Sequence, residues 1–429
     1  MEVLQETYKD TKIGRIPKDW EVVRLEEVLI EFQNGYAFSS KGYQESGIPI
    51  VSMAYIGLEG KFKFNYKKAN YWSEKERENL SRYLLKKEDL IIAMTDVTPN
   101  KNLIGRMVQI DIDDEFFLNQ RVGLLRCNNR IEKNFLMYLG NSKIWRSYAI
   151  GYSTLGVQTN LGTKEIKKGR IPLPPLPEQQ KIAAILSTVD EQISTTDKII
   201  EKSKELKKGL MQKLFSEGIG HTEFKDTKIG RIPKDWNTLK INQVADCYGG
   251  TTPSTTVEEY WNGDILWATP SDITKNKSEY LLNTSRKITE QGRASKNLRF
   301  VKKNGLLMTS RASIGFLNIS NGDVVTNQGF INIECKDNFH YKFFYYWVLD
   351  NRKKLLSLSQ GSTFLELYRK TFSKISILTP PLPEQQKIAD ILSEVDAKIE
   401  NEQAKKEQLE ALKKGLMQQL LTGKKRVKV

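Results

Sequence analysis

The chain has 429 residues, with 67 Lys or Arg against 52 Asp or Glu, a formal charge of +15. At 39% hydrophobic and 10% aromatic it can build buried cores, and its length exceeds one ordinary domain, so two to four folding units are expected. The basic balance favours an anionic partner, nucleic acid being the commonest soluble one, although a plain basic surface gives the same count.

Three cysteines (Cys127, Cys247, Cys335) lie far apart and are odd in number, which disfavours a disulfide framework and fits a reducing, cytoplasmic setting. The N-terminal residues are polar, and the longest apolar run, Phe343–Leu349, is far too short for a bilayer, so a soluble protein with no membrane contact is expected.

Along the chain, the eleven residues DTKIGRIPKDW begin at Asp10 and again at Asp226. PLPEQQKIA at 175–183 returns at 381–389, and LKKGLMQ at 206–212 returns at 412–418. The first phrase is displaced by 216 positions and the other two by 206, so the second copy is ten residues shorter in its middle. Such recurrence marks an internal duplication.

Fainter echoes lie between the anchors: LIIAMTDVTPNKNLIGR with GLLMTSRASIGF, and LNQRVGLLR with TNQGFINIE, which share Asn-Gln at 119–120 and 327–328. The expected layout is a globular unit over 1–174, a long helix over 175–215, a second globular unit over 216–380, and a second long helix with a basic tail over 381–429. Each globular unit should be α/β (α+β), with short strands, many turns and a short helix near 133–148 or 341–356.

Pro177 and Pro383 suit the first turn of a helix, where no amide proton is needed. Ile182, Leu186, Val189, Ile193 and Ile200 follow near heptad spacing, with Leu206, Leu210 and Leu214 in a shifted phase. In the second copy Ile388, Leu392, Val395 and Ile399 lead to Leu409, Leu412, Leu416 and Leu420. Each pattern reads as one helix of about forty residues, roughly 60 Å long, with an apolar stripe that must be covered. The twin helix is the nearest cover, so an antiparallel coiled coil with an approximate two-fold axis is expected. Its core is assigned to Ile182, Leu186, Val189, Ile193, Ile200 and Leu210, and to Ile388, Leu392, Val395, Ile399, Leu409 and Leu416.

Phosphate contacts want Lys and Arg, while base edges want Arg on guanine and Asn or Gln on adenine. Loops rich in such residues give the DNA-contact candidates. In the first copy these are Lys101, Asn102, Arg106, Gln120, Arg121, Gln158 and Asn160. In the second they are Ser271, Lys275, Lys277, Arg311, Ser313, Gln328, Ser362 and Thr363. The paired Asn-Gln could equally pin a turn, Arg106 and Arg311 could be plain surface arginines, and the aromatic cluster Phe343–Trp347 reads more simply as core than as a stacking platform.

A search for chemistry finds little. The Asn/Asp-Pro-Pro-aromatic tetrapeptide of amino-methyltransferases is absent, as is a P-loop, and His221 and His340 have no metal-spaced partner. No cofactor, metal or catalytic residue is therefore assigned. A self-contained DNA methyltransferase or nuclease, and a non-specific coiled-coil DNA scaffold, stand as the rival readings.

IPLPPLPEQQKIAAIL and ILTPPLPEQQKIADIL, each closing a variable unit opened by IGRIPKDW, resemble the specificity subunits of type I restriction-modification systems from about residue 10 to 421. The resemblance implies two target recognition domains, each reading half of a bipartite site in double-stranded DNA. It also implies helices that act as spacer and as the dock for two adenine-methyltransferase subunits, a restriction subunit as an optional addition, and no catalysis in the chain itself. Pro177, Glu178, Gln179 and Gln180, with Pro383, Glu384, Gln385 and Gln386, are shown identically twice and suit two identical partners. The same segments could instead cap the helices and pack on the adjacent domain. The closing GKKRVKV reads as a solvated basic tail.

Overall fold

Each copy opens on a hairpin, Tyr8–Thr11 with Gly14–Pro17 and Phe224–Thr227 with Gly230–Pro233. Gly14 and Gly230 turn it at φ +107° and +119°, a backbone region that favours glycine. The next strand, Glu21–Arg24 or Asn237–Lys240, pairs antiparallel with Arg170–Leu173 or Ser376–Thr379, the last strand before a long helix. The beginning and end of each domain are thereby tied together. These relations come from a computed structural model, which describes residues 8–428 except 99, 154–158, 228–229, 312 and 362–364.

The chain forms two compact units, one of residues up to 197 together with those from 404 onward, the other of residues 198–403. Each unit therefore holds one mixed α/β domain, half of the long helix Leu176–Ser216 and half of the long helix Leu382–Leu420.

In the first unit a four-stranded antiparallel sheet runs in the order Met107–Gln109, Leu90–Ala93, Val122–Cys127, Leu29–Asn34. A second sheet has the order Tyr71–Trp72, Ile48–Val51, Phe116–Leu118, Leu84–Leu85, with its middle pair parallel. Leu90–Ala93 is apolar throughout because alternate residues point to opposite faces and both faces are covered. Leu90 and Ile92 pack with Phe135 and Leu136 of the helix Lys133–Gly140, whereas Ile91 and Ala93 pack with Val51, Phe116 and Leu118 of the second sheet.

The second unit repeats this plan. A five-stranded sheet has the order Ala245–Tyr248, Phe330–Cys335, Leu306–Thr309, Leu317–Ser320, Tyr280–Leu281, beside a three-stranded sheet Arg286–Ile288, Trp261–Ala268, Val324–Thr326. Leu306 and Met308 face Phe343 and Phe344 of the helix Tyr341–Asp350, and Leu307 faces Val324. The aromatic cluster 343–347 is thus core.

Within each unit the two half-helices run antiparallel: Asp190 and Asp197 meet Lys413 and Lys406 in one, and Asp396 meets Lys207 in the other. Ile182, Leu186, Val189, Ile193, Ile200, Ile388, Leu392 and Ile399 are buried. Val395, Leu409, Leu210 and Leu416 are half-buried.

Two corrections follow. Ile182 and Leu186 pack with Trp20 and Leu139 of the domain as well as with Leu416 and Leu420, and Ile388 and Leu392 likewise share a cluster with Trp236 and Phe343, so the helix starts are domain core as much as interhelical core. The shifted phase at Leu206 does not occur either. The seam continues at 3.5-residue spacing through Thr196, Ile200, Ser203, Lys207, Leu210 and Leu214, while Leu206 and Leu412 are half exposed, at 54% and 50%.

Candidate nucleic-acid interface

The repeated phrases meet in a joint at each helix start. Trp20 is fully buried and its indole N–H donates to Glu178 Oε2 at 3.0 Å; Trp236 does the same to Glu384 Oε2 at 2.9 Å. Gln179 accepts from the Glu132 amide (2.8 Å) and donates to the carbonyls of Pro174 (2.8 Å) and Arg130 (3.0 Å). Gln385 accepts from the His340 amide (2.8 Å) and donates to the Pro380 carbonyl (2.9 Å).

Glu178, Gln179, Glu384 and Gln385 are therefore not available as a docking surface, because their polar atoms fasten the helix start to its own domain. Of that set, Pro177, Gln180, Pro383 and Gln386 face solvent. His221 bonds Glu384 at 2.9 Å in this joint. The basic tail is corrected too: Arg426 donates to Glu178 (2.7 and 2.9 Å) and to Asp19 (2.8 and 2.7 Å), and that guanidinium holds the Asp19 carboxyl below its ordinary value.

Away from the joint, both domains gather loops at one end of the sheet strands. In the first, Gly35 lies so close beneath the 119–120 turn that a Cβ there would sit 2.2 Å from the Asn119 carbonyl. The Gln120 amide donates to Tyr36 O (2.9 Å), the Met94 amide to Arg121 O (3.0 Å), and the Leu161 amide to Met94 O (2.9 Å). In the second, a Cβ on Gly250 would meet Thr326 O at 2.1 Å, the Ser310 amide donates to Gly329 O (2.8 Å), and the Leu367 amide to Ser310 O (2.9 Å).

These bonds equate Met94 with Ser310, Arg121 with Gly329, Leu161 with Leu367 and, through the adjoining bridges, Thr95 with Arg311 and Asn160 with Glu366. The Met-Thr echo at 94–95 and 308–309 is therefore offset from the structural match by two residues. A two-residue slip keeps every side chain on its face, so the hydrophobic pattern cannot reveal it.

The Asn-Gln pair splits into two roles. Asn119 Oδ1 accepts the Arg121 amide (3.2 Å) and Asn327 Oδ1 accepts the Gly329 amide (2.9 Å), each pinning its turn. Gln120 and Gln328 stand exposed beside them, and Thr252 Oγ1 donates to Gln328 Oε1 at 2.6 Å. Thr252 and Tyr36 carry no sequence signal of their own and enter the cluster only through the glycine turns before them.

The other candidates divide. Arg121 is half-buried and Asn160 exposed within this cluster. Arg106 is turned inward, donating to Asn102 O (2.5 Å) and Asn141 Oδ1 (3.4 Å), so it braces its loop instead of reaching outward. Arg146, which sequence reasoning passed over, donates to Lys101 O (2.6 Å), and its burial pushes the guanidinium down to about 10. Burial pushes the Asp96 carboxyl up, but the amides of Thr98, Leu103 and Ile104 outweigh it and hold it below the usual value, which ties those three residues to one carboxylate. Lys101 bonds Ser153 (3.3 Å) and Asn102 stays exposed.

In the second domain Ser271 is exposed at the start of the short helix Pro270–Lys275, whose Pro270 lies against Gly329. Lys275 and Lys277 are exposed at its far end, outside the cluster. Arg311 is ion-paired to Glu366 at 2.9 Å, and the Ser313 carbonyl accepts from Thr309. Gln158, Ser362 and Thr363 lie outside the described residues. Among the described residues there is no group of three or more His, Cys, Asp or Glu that could hold a metal, and no helix is long and apolar enough to cross a membrane.

The family described as the type I restriction modification DNA specificity domain matches residues 17–205 and 233–411, one stretch for each domain and its helix. The chain is 28% identical to the MjaVIII type I restriction enzyme specificity subunit of Methanocaldococcus jannaschii over 444 residues, covering 99% of this chain and 97% of that protein. It is 43% identical to the MjaIX specificity subunit of the same organism over 193 residues, 44% and 45% of the two chains. The crystal structure of a type I restriction-modification S subunit from M. genitalium shares the fold, at a TM-score of 0.57, 15% identity and coverage of 94% and 96%. The chain belongs to the type I restriction-modification specificity family, and its two matched stretches carry two DNA recognition domains.

Proposed function

We propose that the chain is the non-catalytic, sequence-reading subunit of a type I complex, acting in the cytoplasm. Domain 1–174 reads one half of a bipartite site in double-stranded DNA and domain 216–380 the other. The helical segments 175–215 and 381–429 set the gap between halves, and two methyltransferase subunits dock at the exposed faces near Pro177, Gln180, Pro383 and Gln386, with restriction subunits as an addition.

One observation carries this reading: the same loop cluster is built twice on the same scaffold but bears different side chains, Thr95, Arg121 and Asn160 in one and Arg311, Gly329 and Glu366 in the other. A shared frame with divergent tips suits two readers of different sequences.

The test is base-modification sequencing of DNA from cells expressing the chain with its cognate methyltransferase subunit, and each alone. A split motif with a fixed gap, methylated only with both present, is the expected result. Methylation by the chain alone would make it an enzyme, and binding without sequence preference would leave the scaffold reading.

A further inference from the structure

Within the two clusters one outward side chain is the same in both copies. Gln120 and Gln328 occupy equivalent turns, both exposed, each following an asparagine whose own side chain is consumed in pinning that turn. The turn is held from a second side by the preceding loop, through the Gln120 amide on Tyr36 O (2.9 Å) and the Thr251 amide on Thr326 O (2.9 Å). It is held from a third by the strand end, through the Asn119 amide on Val51 O (3.1 Å) and the Asn327 amide on Ala268 O (3.1 Å). The pinning falls to the asparagine, which leaves the glutamine carboxamide facing outward, steadied in Gln328 by the Thr252 hydroxyl. What the fold does supply is a rigid mount, which is what base readout requires.

We infer that Gln120 and Gln328 are the matched base-specifying residues of the two recognition domains, each placing its carboxamide on the edge of one base, adenine in both half-sites, at the same position relative to its domain. The inference rests on the half-site reading above. A carboxamide pairs with adenine by accepting from N6 and donating to N7. In Gln328 the Oε1 already accepts from Thr252, which orients the amide, and its second lone pair remains for a base. The neighbours differ between copies (Arg121 against Gly329, Asn160 against Glu366), so the halves share one base and diverge around it.

The experiment is base-modification sequencing with the cognate methyltransferase subunit, for the unaltered chain and for Gln120→Ala, Gln328→Ala, Gln120→Glu and Gln328→Glu. If the unaltered chain gives no split motif, the half-site reading itself falls before any variant is considered. Given a split motif, each alanine variant is expected to relax one A·T position, by roughly 10- to 100-fold in relative methylation, and the two variants should act on different halves. Each glutamate variant should move the preference at that position towards cytosine, whose N4 donates to a carboxylate. An unchanged motif in both alanine variants, or relaxation at a position that is not adenine, overturns the inference. Should the alanine variants lose all methylation, a split motif recovered with one altered base in the glutamate variants sustains it, and continued loss in a soluble complex overturns it.

Discussion

Lys207 donates to both carboxylate oxygens of Asp396, at 2.7 and 2.6 Å, from one long helix to the other. Tyr346 of the domain donates to the same carboxylate at 2.9 Å, and the Lys207 ammonium lies 5.1 Å from the Tyr346 ring centre. The other unit builds the same node from Lys413, Asp190 and Tyr138, with bonds of 2.7 and 2.8 Å and a ring distance of 5.5 Å. Each lysine sits at a seam position that would ordinarily be apolar, and its charge is met by a carboxylate and an aromatic face. Each node therefore joins three elements: both helices and the recognition domain.

Asp396→Ala should be more damaging than Lys207→Met. Removing the carboxylate strands a partly buried ammonium and a phenol hydroxyl, at about 1–3 kcal/mol, whereas methionine fills the seam and leaves Asp396 with Tyr346. Denaturant titration of the two variants checks this order. Equal losses would show that the node contributes packing alone.

Arg426→Ala should lower stability at neutral pH, because Glu178 is 2% exposed and would keep only the Trp20 indole as partner. The Asp19 part of the effect has a definite pH sense. Its folded carboxyl titrates below the ordinary 3.8, so its contribution is complete above that value and is lost as pH falls through the lower folded value. The gap between parent and variant, followed by urea unfolding from pH 7 to pH 3, should narrow below about pH 4. A gap that widens on acidification would contradict the assignment.

Much of this was legible in the sequence where the two copies agree. The duplication, the helix starts and the stripe from Ile182 to Ile193 follow from repeated phrases and spacing. Beyond Ile193 only Ile200 and Leu210 were legible, because Thr196, Ser203 and Lys207 are polar residues at core positions, and Leu206 nearby offered a false phase. Long-range pairing was equally hidden: nothing local joins Trp20 to Glu178, or Arg426 to Glu178 and Asp19. In the interface, Asn-Gln was visible as a repeated pair, but only turn geometry separates the pinning asparagine from the outward glutamine.

The glycines under the turns give a third prediction. Gly35→Ala and Gly250→Ala place a methyl about 2 Å from backbone atoms that cannot swing aside, so the loop must shift, at roughly 1–3 kcal/mol. Gly151→Ala, with nothing within 4 Å of its added Cβ, serves as the control. DNA-binding titrations of the complex should show weakened sequence-specific affinity for the first two and none for the control. Normal affinity in Gly35→Ala would separate the 119–120 turn from recognition.

The continuous heptad seam refines the test of the helices as a spacer. Seven residues inserted between Glu201 and Lys202, and seven between Asn401 and Glu402, preserve the seam phase in both helices, because two heptad positions recur every seven residues. The insertion adds roughly 10 Å at 1.5 Å per residue, about three base-pair steps of 3.4 Å. The double insertion should leave both methylated half-sites unchanged and lengthen the gap between them. A four-residue insertion in one helix alone should disrupt pairing, since it throws Ile200, Ser203 and Lys207 out of phase with their partners. If the seven-residue pair altered a half-site, or left the gap as it was, the helices would not be what spaces the two readers.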